Sequence, residues 1–170
     1  MYKPRGFSNV EEMNEAIVER WNAVVKPNDM VVHLGDTFLN DNARGLEYFK
    51  RLNGQISIVW GNHDTDTRKK LLYVLPNVIA LGYAHMFKHK KLSIYVSHYP
   101  SFTANYDERF FSQHVINLHG HIHSQTPWTD PANPFMYDVG MDAHNCTPVH
   151  IDQVLSDIRN KWEEISHPTI

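Results

Sequence analysis

The stretch Ile56-Ser-Ile-Val-Trp-Gly-Asn-His-Asp64 combines a short apolar run with a polar loop that follows it directly. An apolar run of this length that stops at a glycine is typical of a buried β-strand. Met30-Val-Val-His-Leu-Gly-Asp36 repeats the pattern earlier in the chain. Because ligands of α/β proteins bind where parallel strands end, these two segments predict an α/β fold whose functional groups follow its strands.

Helical periodicity surrounds the two strands. Apolar residues recur every three or four positions through 9–25, and Ser8-Asn-Val-Glu11 has the form of a capping box that predicts where this helix begins. A second helix is expected at 42–52 and a short third helix near 67–74. The basic run Arg68–Lys70 is expected on the solvated face of the third helix.

The second half of the chain is dominated by predicted strands. They are expected at 77–81, 83–87, 92–97, 115–118, 135–139 and 147–151, before a closing helix near 151–163. Short separations indicate that this half is antiparallel, with Lys88–Lys91 as the polar tip of a hairpin. The whole pattern predicts one domain, residues 1–170, built as a four-layer α-β-β-α sandwich of two mixed sheets flanked by helices.

Composition and charge exclude several classes of protein. The chain has 170 residues, of which 42% are hydrophobic and 21% charged, as in ordinary globular proteins rather than disordered or fibrous ones. The formal net charge of −3 provides no general positive field. We therefore expect no membrane association and no strong binding of nucleic acid.

Cysteine usage and the apolar runs bear on the compartment. Cys146 is the only cysteine, so an intramolecular disulfide is impossible, and Met1–Ser8 lacks the apolar core of a signal peptide. No apolar run approaches the roughly 20 residues that a membrane span requires. The sequence predicts a cytoplasmic protein. Histidine is unusually frequent, with 12 residues, and its placement bears most on function.

Seven polar residues follow four of the predicted strands and are metal-ligand or acid–base types. They are Asp36, Asn62, His63, Asp64, His98, His121 and His123. Imidazole suits transition ions, and carboxylate and amide oxygens add harder ligands, which argues against both a thiolate zinc site and an all-oxygen calcium site. In an extended His-x-His segment both rings lie on one face, so His121 and His123 are expected to reach one site.

In order along the chain, Gly35-Asp36, Gly61-Asn-His-Asp64, His98 and Gly120-His-Ile-His123 resemble the motifs of the calcineurin-like metallophosphoesterases. Among these, the closest likeness is to the small bacterial and phage members without a cap domain. No single motif is specific, but the two longer ones, in this order and each after an apolar strand, are. The resemblance covers most of the chain and implies the metallophosphoesterase fold.

The resemblance also implies a set of metal ligands. Asp36 bridges two ions, while Asn62, His98 and His121 complete the shell of one ion and His123 belongs to the other. The implied cofactor is a divalent transition metal, Mn, Fe, Zn, Ni or Co. Members of the family hold two ions, and at least one is expected here.

The implied reaction is hydrolysis of a phosphodiester or phosphomonoester by metal-activated water, which makes the protein a hydrolase with phosphatase or phosphodiesterase activity. His63 resembles the catalytic histidine of the family, a phosphate contact or general acid, and Asp64 is placed to orient its ring. Asn62 and His63 are the implied substrate-binding residues. The partner is thus a phosphate ester.

One motif of the family is absent from this sequence. The opening strand of the family carries Asp-x-His, and no such tripeptide precedes Gly35-Asp36. Met1–Ser8 is too short and polar to be that strand, so the predicted helix at 9–25 lacks its β partner. Three explanations stay open: a start upstream, a shortened chain, or a protein with one complete and one incomplete metal site. The unpaired sheet edge raises the expectation of a homodimer.

Two other functions compete with an active enzyme. The first is a catalytically impaired metal-binding protein with a regulatory role, since half the ligands of one ion are absent. The second is a nucleic-acid-binding module with a structural metal, which the net charge disfavours. Assay of p-nitrophenyl and bis-p-nitrophenyl phosphate with added Mn²⁺ distinguishes enzyme from binder.

Several candidate residues also have a purely structural interpretation. His63 could be a turn residue, and Asp64 could cap a helix. Asp142 and His144 could line the site from a late loop, although packing is favoured for both. Four aromatic residues in loops could stack a nucleobase or aryl group, with packing again favoured. They are Tyr99, Phe102, Tyr106 and Trp128.

Overall fold

The computed structural model describes residues 2–103, 105 and 110–166. It contains α1 (Val10–Val24), β1 (Met30–His33), α2 (Asn42–Lys50), β2 (Gln55–Val59), α3 (Asp66–Tyr73), β3 (Val78–Gly82), β4 (Ala84–His89), β5 (Leu92–Ser97), a 3₁₀ turn (Phe111–Gln113), β6 (Val115–His119), β7 (Met136–Asp138) and α4 (Ile151–Ser166). No helix in these ranges is long and apolar enough to cross a membrane. Tyr106 lies outside the described residues.

Helix α1 begins one residue later than the capping-box pattern predicts. Its N-cap is Asn9, whose side chain accepts the backbone N–H of Glu12 at 2.8 Å. The Glu12 carboxylate in turn accepts the N–H of Ser8, also at 2.8 Å. Asparagine caps a helix as well as serine does, so the register follows the better hydrogen-bond geometry rather than the predicted motif.

Two sheets flanked by helices form the domain, as predicted. The first has the order β1-β2-β3 and is parallel throughout, with Ile56 of β2 opposite Val78 of β3. The second has the order β4-β5-β6-β7 and is mixed. Helices α1, α2 and α3 cover the first sheet, and Trp21 and Phe49 belong to the core that they share with it.

In the described residues of the second half, the β4–β5 hairpin and one isolated bridge between Trp128 and Tyr137 are antiparallel, so the prediction of an antiparallel half is wrong. Strands β5, β6 and β7 run parallel. The connections through 98–114 and 120–135 are long enough to return the chain to the same end of the sheet, as parallel pairing requires. The predicted strand at 147–151 is also wrong, because 147–150 is irregular and Ile151 begins α4.

The amino-terminal segment forms turns. Residues 2–6 are in turns, and no strand lies among residues 2–9. Strand β1 is therefore an edge of the first sheet within the described residues, with Met30 87% exposed and Val32 38% exposed. Residues 2–9 thus carry neither a strand nor a partner for this edge.

Candidate metal centre

Loops after four strands meet around the ring of His98, which is almost fully buried. Its Nε2 lies 2.9 Å from Asn62 Oδ1, 3.1 Å from His121 Nδ1 and 3.5 Å from Asp36 Oδ2. Asp36 follows β1, Asn62 follows β2, His98 follows β5 and His121 follows β6. Four of the predicted site residues are thus brought together where strands of both sheets end.

The ring of His98 is oriented by a backbone group from the other sheet. Its Nδ1 lies 2.7 Å from the carbonyl oxygen of Leu34, just after β1. A carbonyl only accepts, so Nδ1 carries a proton, and when the ring is neutral the lone pair of Nε2 faces the cluster. Metal-binding histidines are commonly held in this way.

The donor set around His98 Nε2 fits a divalent ion. Ligand atoms bound at about 2.0–2.2 Å lie roughly 3 to 3.5 Å from one another, and the three observed separations match this spacing. When the ring is neutral with its proton on Nδ1, Asn62 Oδ1 and Asp36 Oδ2 are acceptors that face the lone pair of Nε2. A divalent cation would be attracted by all three atoms.

As the side chains stand, no group of three or more His, Cys, Asp or Glu residues in 2–103, 105 and 110–166 is arranged to hold a metal ion. Around His98 Nε2 the donors come from one carboxylate, two imidazoles and the amide of Asn62, so these side chains would have to adjust for an ion to be bound. Donor chemistry and spacing, rather than a preformed cage of ligands, support a metal site here.

Two glycines allow the first two loops to approach so closely. A Cβ on Gly61 would lie 2.2 Å from Asp36 Oδ1, and a Cβ on Gly35 would lie 2.3 Å from the backbone nitrogen of Gly61. Gly35 also has a φ of +89°, in the region that side chains avoid. The Gly-Asp and Gly-Asn-His-Asp motifs thus need glycine because one loop packs directly against the other.

Asp64 holds these two loops together. Its carboxylate accepts the N–H of Asp36 at 2.8 Å, of Thr37 at 3.0 Å and of Gly61 at 2.8 Å, and the Thr37 hydroxyl at 2.8 Å. Burial raises the pKa of this carboxyl, but the hydrogen bonds outweigh burial and leave its pKa below the ordinary value.

Neither predicted role of Asp64 matches these contacts. Both of its oxygens are engaged by the loops, and none of its hydrogen bonds goes to the ring of His63. Nor does it cap α3, because the N-cap is Thr65, whose side chain accepts the N–H of Arg68. Asp64 is a structural organiser of the site.

His63 lies at the exposed rim of the cluster. Its backbone N–H donates to Asp36 Oδ1 at 2.8 Å, and its carbonyl accepts from the guanidinium of Arg68. Arg68 is buried and also donates to Asn42 Oδ1 at 2.8 Å, so its predicted place on a solvated helix face is wrong. The ring of His63 makes no hydrogen bond within the described residues and is open to a ligand.

His121 and His123 are not on an extended segment, so the reasoning from strand alternation fails. Both have left-handed backbones, with φ of +70° and +52°. The ring of His121 joins His98, and burial together with the neighbouring His98 lowers its pKa. Tyr99 packs edge-on against both rings, with its centroid 4.5 Å from that of His121.

The ring of His123 has a partner that the sequence did not predict. Its Nδ1 lies 2.7 Å from Asp142 Oδ2. Arg5 donates to the same carboxylate, with Nε and Nη2 each 2.7 Å from one of its oxygens. This hydrogen bonding lowers the pKa of Asp142 to about 2. His144 instead places Nε2 2.9 Å from the Asp138 carbonyl oxygen. The contact between Asp142 and the His123 ring thus differs from the packing role that the sequence favours for Asp142.

Comparison with known proteins identifies the family. The calcineurin-like phosphoesterase superfamily domain matches residues 13–133, well over half of the chain. An uncharacterized protein of Methanocaldococcus jannaschii, MJ1445, is 32% identical over 160 residues, which cover 91% of this chain and 80% of that protein.

Two solved structures are similar in shape. The protein of unknown function AQ665 from Aquifex aeolicus has a TM-score of 0.64 at 23% identity and covers 87% of this chain and 86% of its own, which supports the fold. A novel archaeal phosphodiesterase has a TM-score of 0.42 at 18% identity, covering 75% and 73%, too weak a likeness to bear on function. On the match of residues 13–133 and the identity with MJ1445, the chain belongs to the calcineurin-like phosphoesterase superfamily.

Proposed function

We propose that this protein is a metal-dependent hydrolase of phosphodiesters or phosphomonoesters. The observation that carries the proposal is the convergence of Asn62 Oδ1, His121 Nδ1 and Asp36 Oδ2 within 2.9–3.5 Å of His98 Nε2. Membership of a phosphoesterase superfamily supports the reaction class. The substrate class is a phosphate ester.

The residues around His98 are the proposed ligands of a first ion, with Asp36 also shared by a second ion near His123. Mixed imidazole, amide and carboxylate donors favour Mn, Fe, Zn, Ni or Co over calcium. Such an ion, when bound, lowers the pKa of a coordinated water and offsets charge on the phosphoryl group.

The chain's own groups are proposed to position the substrate and move a proton. The His63 N–H donates to Oδ1 of Asp36 and so orients this carboxylate. Its other oxygen, Oδ2, then lies on the side of His98. The exposed side chains of Asn62 and His63 contact the phosphoryl oxygens from the rim. The ring of His63, which has no hydrogen-bond partner within the described residues, then acts as a general acid and donates a proton to the leaving oxygen.

Hydrolysis of bis-p-nitrophenyl and p-nitrophenyl phosphate tests this function. Protein from which metal has been removed with a chelator should be inactive, and added Mn²⁺ should restore its activity. In His121→Ala, added Mn²⁺ should restore no activity. His85→Ala is the matched control, because His85 is an exposed histidine of β4 whose side chain makes no hydrogen bond within the described residues. Activity that survives chelation, or an equal loss in both variants, would refute the proposal.

A metal-binding protein without hydrolytic activity is the second candidate. The specific observation behind it is that Nδ1 of His123 is already engaged by the carboxylate of Asp142. Stoichiometric metal uptake that depends on His121, without hydrolysis of either nitrophenyl ester, would favour this alternative.

A further inference from the structure

We propose that Asp142, clamped by Arg5, is a positioning residue that holds the ring of His123 with Nδ1 protonated, so that Nε2 is the nitrogen offered to a metal ion. The position of the proton on Nδ1 follows from the geometry of the pair. Only its use in metal binding rests on the proposed function.

The clamp on Asp142 is rigid and shielded from water. Arg5 Nε lies 2.7 Å from Oδ1 and Arg5 Nη2 lies 2.7 Å from Oδ2, the fork geometry that fixes both position and plane of a carboxylate. The exposed fractions of the two side chains are 10% for Arg5 and 9% for Asp142. The carboxylate therefore has a fixed direction in which to accept one more hydrogen bond.

That remaining hydrogen bond comes from His123. Its Nδ1 lies 2.7 Å from Asp142 Oδ2, the distance of a strong charge-assisted bond. An ionised carboxylate only accepts, so Nδ1 carries a proton, and when the ring is neutral its lone pair lies on Nε2. The His98 ring, held through Nδ1 by the Leu34 carbonyl, has the same arrangement.

The local backbone does not by itself fix the orientation of the His123 ring. Its φ of +52° removes it from strand geometry, and its side chain is 50% exposed. Asp142 is its only hydrogen-bond partner within the described residues. Without that carboxylate the ring would rotate and exchange its proton between the two nitrogens. Partners that orient a ligand typically contribute about 10–100-fold to metal affinity.

A purely structural role for the Arg5–Asp142 pair makes different predictions. In that case the pair would join the amino-terminal segment to the late loop, and the His123 ring would merely rest on it. Removing Asp142 would then disturb the whole loop, including His144, which is held separately through the Asp138 carbonyl. The ring of His144 is thus an internal control two residues away.

The first test uses metal-free wild-type protein and needs no variant that folds poorly. Long-range ¹H–¹⁵N spectra at pH 8.5 report which nitrogen of each histidine ring is protonated, and His123→Gln assigns the His123 signals. We expect a protonated Nδ1 and an unprotonated Nε2 for His123. A ring protonated on Nε2, or an averaged ring, would overturn the proposal.

The second test compares Asp142→Ala with wild type in the same spectra. His123 should lose its preference for Nδ1 while the His144 signals stay in place. Unchanged His123 signals, or equal changes in both rings, would overturn the positioning role. If this variant does not fold, the wild-type measurement decides.

Zn²⁺ titration then tests the link to metal binding. The His123 signals should respond to Zn²⁺ in wild type, at a concentration about 10–100-fold higher in Asp142→Ala. The His98 signals should respond equally in both proteins. Equal responses of His123, or none in wild type, would overturn the link to metal. Neither readout depends on hydrolysis, so failure of the enzymatic proposal would be seen separately.

Discussion

Asp64→Asn tests the inference that one carboxylate holds the site loops together. Asp64 is buried, and its two oxygens accept four hydrogen bonds from Asp36, Thr37 and Gly61. Asparagine has nearly the same shape, but one oxygen becomes an amino group. If the amino group takes the place of Oδ2, it faces the N–H groups of Asp36 and Gly61 and two of the four bonds are lost. If it takes the place of Oδ1, the Thr37 hydroxyl can turn to accept from it, and only the bond from the Thr37 N–H is lost. In both cases the charge is lost as well.

The expected loss of stability follows from those bonds. Hydrogen bonds to a charged group contribute about 1.5–3 kcal/mol each, so the loss of one or two amounts to roughly 1.5–6 kcal/mol before relaxation. Rearrangement of the exposed Asn62–His63 segment would recover part of this. We expect a decrease of about 3 kcal/mol in the free energy of unfolding, a large share of the 5–15 kcal/mol typical of a domain.

Urea unfolding at pH 7, followed by tryptophan fluorescence, measures the difference. The control is Asp66→Asn, because Asp66 is two residues away and its side chain is 92% exposed. A decrease below about 1 kcal/mol for Asp64→Asn, or equal decreases in the two variants, would refute the organising role.

The stability difference should also depend on pH. Because the pKa of Asp64 is lowered in the folded protein, its contribution is present above the ordinary carboxyl pKa of about 4. The contribution is lost as the pH falls through the depressed folded pKa. The difference between wild type and Asp64→Asn should therefore be constant from pH 5 to 7 and shrink in more acidic solution. A difference that grows on acidification would contradict the hydrogen-bonding account.

Three further perturbations follow from the geometry. His63→Asn should slow hydrolysis of a poor leaving group by about 10²–10⁴-fold and that of a nitrophenyl ester less, and equal losses would exclude a general acid. Gly61→Ala should weaken Mn²⁺ binding measured by calorimetry, because its Cβ would lie 2.2 Å from Asp36 Oδ1; unchanged binding would mean that the loops yield. If the protein dimerises through the open edge of β1, Val32→Lys should give monomer in sedimentation equilibrium while wild type gives dimer, and a monomeric wild type would exclude that edge as an interface.

Sequence periodicity predicted the helices and strands that depend on local apolar patterns. The apolar patterns of helix α1 and strand β2 reflect burial against one sheet. The apolar run of β1 predicted a strand correctly, but its residues are exposed or half-buried at the sheet edge, so the prediction that it is buried is wrong. The convergence of Asp36, Asn62, His98 and His121 was predicted because all four follow strands, and the structure brings them together. The direction of β6 and β7 was not predictable, since pairing depends on the path of long connections.

The contacts that sequence reasoning missed join distant or irregular segments. Arg5 and Asp142 carry no local pattern that predicts their pairing across the domain. Asp64 was predicted to orient a ring because it adjoins His63, but its carboxylate folds back onto Gly61 and across to Thr37. Adjacent residues at a sharp turn point in different directions, so adjacency alone was a poor guide to contact.

The pairing of Arg5 with Asp142 links two segments that are 137 positions apart in the chain. During synthesis the partner of Arg5 emerges only after most of the protein, so this contact forms among the last and has a high loop-closure cost. The His123 ring therefore takes its aligned orientation only after the segment with Arg5 and the loop with Asp142 have come together.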